Sequence, residues 1–237
     1  MRREHRRELK HDRFVDGAGS LWSKAGENQR LLIIAGTVVI AVGLGIYGFF
    51  VYRNTREQKA QQALSAAADV LNSPLIPPPG GALQPDAKYK TEAERNAAAF
   101  SDFQKVEQQY GGTDAADVAK LYLARLDAGR GDVTDSSKLL EDFIHAHPQH
   151  VLVGTARFSL YQLRIENGEA AQVASELQSE IAKPNPVLPV DTLLLLEAHA
   201  FDAQGKAVKS KEAYRRIVTE FPDSPYALEA QRRVGPA

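Results

Sequence analysis

The stretch "HAHPQH" places His145, His147 and His150 within six residues, beside Glu141 and Asp142, and this mix of imidazoles and carboxylates suits zinc or copper. Its position favours a plainer role. The run sits at a helix end and in the turn that follows, where histidine complements the helix dipole and stays solvated, so no metal site is expected. A second candidate is Gly43-x-Gly45-x-x-Gly48 after the β-branched run Thr37, Val38, Val39, Ile40, the order in which a nucleotide-binding strand, turn and helix begin. A dinucleotide fold would continue with an amphipathic helix and alternating strands, whereas this chain reads as helix after helix. There is no Gly-x-Ser-x-Gly, no phosphate loop ending in Gly-Lys-Ser/Thr and no His-Glu-x-x-His. The absence of cysteine removes disulfides, thiolate metal sites and cysteine nucleophiles. The expectation is a non-enzymatic protein with no catalytic residue, cofactor or metal.

The glycine pattern lies inside an apolar run instead. Leu31 to Tyr52 are 22 residues without a charge; as a helix they span about 33 Å, against roughly 30 Å of bilayer hydrocarbon. Thirteen of the 22 are Leu, Ile, Val or Phe, which together favour insertion by about 4 to 8 kcal/mol. A buried core helix of that length would show a polar side, and a cleaved signal peptide would have a shorter apolar region followed closely by small residues. An uncleaved signal anchor is expected over 31–52, with Tyr47 and Tyr52 near one interface. Thr37, Ala41 and Gly45 recur every four residues, the small-residue spacing that lets membrane helices approach.

Residues 1–30 carry eight Lys or Arg, and the seven residues after the span carry three. The basic tail is therefore expected in the cytoplasm, with the large carboxy-terminal part exported, into the periplasm of a cell with two membranes. The chain's net charge is −1; residues 1–59 sum to +5, leaving −6 for the rest, which argues against a nucleic-acid partner. After the anchor come an alanine-rich juxtamembrane helix over 53–72 and a Pro/Gly-rich linker or loop over 73–90, "SPLIPPPGGALQPDAKYK", expected to separate that helix from the remainder.

Residues 91–237 repeat. Gly131, Gly168 and Gly205 are 37 residues apart, as are Phe103, Leu140, Leu177 and Tyr214. Leu121, Phe158 and Leu195 share the period, as do Ala124, Tyr161 and Ala198, and Pro148 and Pro222 stand two periods apart. A glycine ends one helix, an apolar column follows nine residues later on the next, and a proline closes the unit. Each unit is a helical hairpin that buries its apolar faces only against neighbours. The fold expected is all-α: one transmembrane helix, then an α-solenoid of hairpins with a period of about 37 residues.

In the last unit Ala198, Phe201, Gly205, Tyr214 and Pro222 fall where a tetratricopeptide repeat has its small, aromatic, glycine, aromatic and proline positions, so 91–237 resembles a tetratricopeptide-repeat domain. Basic tail, anchor, linker and repeats together resemble the bacterial inner-membrane tetratricopeptide-repeat proteins that include the ancillary subunit of the Sec translocon. The resemblance implies a membrane-anchored protein-interaction module binding translocon components, chaperones or newly exported polypeptides; the alternative is a scaffold of another envelope assembly or division complex. It also implies that the first helix of each repeat lines a peptide-binding groove. The 37-residue register then puts Arg125, Gln162 and His199 at equivalent positions, with Glu166 and Asp202 further along the same helices.

Overall fold

The computed structural model describes residues 29–77, 79–82 and 85–235. The basic tail expected over 1–30 lies outside them apart from its last two residues. The chain divides into two compact units, Met1–Arg56 and Glu57–Ala237, and among the described residues all regular structure is helical.

Helix α1 (Gln29–Asn72) carries the apolar run. Among the described residues of the first unit the apolar run is open: Ile33, Val39, Leu44 and Phe50 are all more than half exposed. The helix is long and apolar enough to cross a membrane. The Thr37 hydroxyl in the run is satisfied locally, donating to the Ile33 carbonyl at 2.8 Å.

The second unit begins within the same helix. Residues 57–72 do not stand apart from the repeats as the proline-rich stretch suggested. Ala67 is buried with Phe103, Val106, Ala119 and Leu123, and Ala63, Leu64 and Leu71 pack on the same cluster. The small residues Ala60, Ala63 and Ala67, three to four apart, make a stripe that lets a neighbouring helix come close. The intervening segment is the loop of a hairpin. The Ile76 N–H donates to the Tyr89 carbonyl at 2.8 Å, and Arg95 Nη1 donates to the Ser73 carbonyl at 3.2 Å, which ties both ends of the loop to α2 (Glu92–Tyr110).

The first hairpin is fastened to the second by one carboxylate. Glu57 accepts from the N–H groups of Asp114 at 3.0 Å and Ala115 at 3.2 Å, while Thr113 Oγ1 accepts from Ala116 N–H. Three of the unpaired donors that open α3 (Asp114–Arg130) are thereby satisfied, two by a negative charge at the positive end of the helix and one by the capping hydroxyl.

From there the period repeats as geometry. Helix α3 turns into α4 (Val133–Ala146) at Gly131, and α7 (Val190–Ala203) turns into α8 (Ala207–Glu220) at Gly205. Both glycines have positive φ, 85° and 71°. Each closes its helix by the same pair of bonds, Gly131 N–H to Ala128 and Asp132 N–H to Asp127, Gly205 N–H to Asp202 and Lys206 N–H to Phe201. Between them, α5 (Val153–Arg164) runs through a π-type turn (Ile165–Glu169) into α6 (Ala170–Ile181), with Gly168 at φ 92° breaking the helix. A side chain at these three positions would face the steric cost of left-handed backbone. Helix α9 (Ala227–Val234) follows α8.

Phe103, Leu140, Leu177 and Tyr214 are each at most 4% exposed, and each belongs to a different one of four apolar clusters. The column is the spine of a stack in which each hairpin shares its core with the next.

Candidate functional site

Helix α3 buries Ala119, Leu123 and Leu126 on one side against the first hairpin. Another of its faces, Val118, Leu121, Tyr122 and Arg125, spaced 0, 3, 4 and 7, looks onto an open cavity of about 450 Å³. The opposite wall is Thr155, Ser159, Gln162 and Glu166, at steps of four, three and four along α5 and into its π-type turn. The floor is apolar and buried: Ala124, Leu140, Ala156 and Leu163. Close contact below the floor comes from a buried serine, Ser136, whose Oγ donates to the Ala124 carbonyl at 2.7 Å and draws α4 onto α3. Tyr122 forms a firm wall because its ring stacks on Phe103, centroids 4.5 Å apart and 5° from parallel.

The turn that carries Glu166 is braced from the other side of its helix. Arg164 donates through Nε to Glu169 at 2.8 Å and through both terminal nitrogens to Glu176 at 2.7 and 2.9 Å. These bonds hold the Glu176 carboxyl below the usual range and the Arg164 guanidinium above its own. Burial, helped by the Glu176 charge, pushes the Tyr161 phenol up. Arg125, Gln162 and Glu166, in contrast, make no side-chain hydrogen bond or ion pair among the described residues. Their polar ends are free to meet a ligand across an apolar floor, the composition of a site that holds a peptide by one or two inserted side chains and a few oriented hydrogen bonds.

The remaining two members of the expected ladder stand elsewhere. His199, on α7, is half-buried, with Nε2 3.7 Å from Glu229 of α9 and its ring edge-on to Tyr214 at 6.4 Å. Asp202 accepts from the Tyr214 hydroxyl at 3.4 Å. Burial, then the Asp202 charge, pushes that phenol up to about 12. Helix α9 is the cause. Ala230 is buried in one cluster with Leu194, Leu195, Ala198 and Tyr214, so the last helix covers the ground where a further hairpin would begin.

The histidine run is taken up by structure. His147 Nε2 lies 2.9 Å from the buried Asp117, His150 Nδ1 accepts from the Leu152 N–H at 3.1 Å, and both rings pack on Phe143. Among the described residues, no group of three or more His, Asp or Glu could hold a metal ion.

Tyr122, Thr155 and Ser159 were not expected from the repeat register. A signal for two of them exists: stepping back from Gln162 by three and seven residues reaches Ser159 and Thr155 on the same helical face. Tyr122 carries no such mark, since an aromatic at that spacing reads equally well as core.

A family model described as a tetratricopeptide repeat-like domain matches residues 22–228. The match starts ahead of the apolar run and takes in every residue of the cavity. No curated protein matches this chain.

Proposed function

The chain belongs to the tetratricopeptide repeat-like domain family, a fold of protein-interaction modules, and from that premise we propose that it is a membrane-anchored binder of protein segments at the bacterial inner membrane. Helix α1 crosses the membrane once, the basic tail stays in the cytoplasm, and the unit from Glu57 onward works in the periplasm. Its partners are translocon components, chaperones or newly exported polypeptides. The observation that carries the reading is the α3–α5 cavity, where Arg125, Gln162 and Glu166 have no hydrogen-bond or ion-pair partner among the described residues above an apolar floor.

The test is a photo-crosslinking amino acid placed in the full-length protein in cells, at Ser159 inside the cavity or at Lys211 on the exposed face of α8. Capture of translocon subunits and exported chains from Ser159, and not from Lys211, is the expected result. Capture of the fixed subunits of a division or outer-membrane assembly complex would instead make the protein a scaffold. Equal capture from both positions would remove the cavity from the reading. Topology is checked separately: a reporter active only outside the cytoplasm works when fused after Ala237 and fails when placed before Arg30.

A further inference from the structure

Arg125 lines two cavities. Besides the apolar one, it borders a second cavity of about 850 Å³ with Asn72, Glu92, Arg95, Asn96 and Arg130. Three guanidinium groups there face the single lining carboxylate of Glu92, in a part of the chain whose sequence sums to −6. Two of the three are already engaged. Arg130 is paired with Asp127 and Asp132 and lies over the Phe100 ring at 3.8 Å. Arg95 reaches the Ser73 carbonyl and stands 3.7 Å from Glu92. Arg125 is exposed and has no such contact among the described residues. Deeper in, Arg95 Nε and Asn96 Oδ1 are buried without a hydrogen-bond partner. A positive pocket with an uncommitted guanidinium at its mouth, opening beside an apolar one, is complementary to a carboxylate held next to an apolar side chain.

Resting on the peptide-binding reading above, we propose that the ligand is an extended segment carrying an apolar side chain and, two residues away on the same side, Asp or Glu. The apolar group fills the α3–α5 cavity, and the carboxylate meets Arg125 at the join. Extended chain puts residues i and i+2 on one face, and Arg125 is the one side chain common to both cavities. The segment is chosen by its acid, and Glu166 at the far end of the apolar cavity disfavours a second acid there.

The test uses full-length protein in detergent and fluorescein-labelled peptides on one Gly/Ser frame, amidated so that side chains supply the only carboxylate. One peptide carries Leu-x-Asp and the other Leu-x-Asn. The Leu-x-Asp peptide should bind more tightly by a factor of roughly five, the range of a solvent-exposed ion pair. Arg125→Gln should weaken the Leu-x-Asp peptide more than the Leu-x-Asn peptide and so erase the preference, and Arg215→Gln on the exposed face of α8 should leave both unchanged. Equal binding of the two peptides overturns the proposal, as does an equal loss of both in Arg125→Gln. Failure of the Leu-x-Asp peptide to bind, alongside specific capture at Ser159, overturns it too and leaves the broader reading standing. Failure of both peptides together with no capture at Ser159 overturns both.

Discussion

Arg125 and His199 occupy the same step of the 37-residue period, on α3 and α7, yet one borders an open cavity with its charge uncommitted and the other is wedged between Tyr214 and Glu229. The same contrast separates Glu166, with no polar partner among the described residues, from Asp202, which accepts from a tyrosine. Register along a repeat fixes where a residue stands on its own helix. Whether its polar end remains available depends on what comes next in the stack. In the middle of the array the next element leaves a gap, and at its end α9 fills one.

The largest effect should come from opening the filled half. Tyr214→Ala removes a fully buried ring from the cluster that α9 completes, and a loss of about 3 to 5 kcal/mol is expected in denaturant unfolding. An unchanged midpoint would mean that the ring does not close that end. Next comes the pH dependence of the same ring. Its phenol is pushed up to about 12, above the ordinary tyrosine value of about 10. Between those values the folded chain keeps a proton that the unfolded chain releases, so stability present below pH 10 is lost as pH rises toward 12. Tyr214→Phe should flatten that slope, leaving a remainder that includes Tyr161 in the other half. A variant as steep as the wild type would show that Tyr214 does not feel its burial.

A smaller effect should be equal in the two halves. Gly131→Ala and Gly205→Ala each force a side chain into positive φ with open space around it, so each should cost about 1 to 2 kcal/mol from backbone alone. A cost at one turn and none at the other would break the equivalence of the hairpins. The smallest effect on stability, within about 0.5 kcal/mol, is expected for Gln162→Ala, which should nevertheless weaken capture from Ser159. His199→Ala should leave that capture intact, and equal losses of capture in both variants would restore the ladder as one continuous surface.

How much of this could be read in advance follows from how narrowly each position is constrained. Gly131, Gly168 and Gly205 were legible because positive φ admits few residue types, and the column from Phe103 to Tyr214 because full burial demands apolar bulk. The stripe of Ala60, Ala63 and Ala67 was not legible. Alanine is at home both in water and in a tight helix contact, so a packed face looked like a solvated one, and the loop after it looked like a tether. Glu57 was equally silent: its partners are backbone N–H groups 57 and 58 residues away, which leave no trace in side-chain types. Of the expected ladder, register alone put Arg125, Gln162 and Glu166 beside one another, and all three line one cavity, whereas the covering of His199 depends on eight residues of α9 packing back over α7.

The four overlapping clusters have a kinetic consequence. No cluster joins residues more than 76 positions apart, the reach from Ala63 to Leu139 and again from Phe158 to Val234. A hairpin therefore needs only its neighbours to bury its face, and none waits for the two ends of the chain to meet. Topologies built from near-sequence contacts reach their transition state with little loop entropy lost. Synthesised amino terminus first, this unit can consolidate from Glu57 onward as each period arrives, and the α7–α8 hairpin stays open until α9 has followed it.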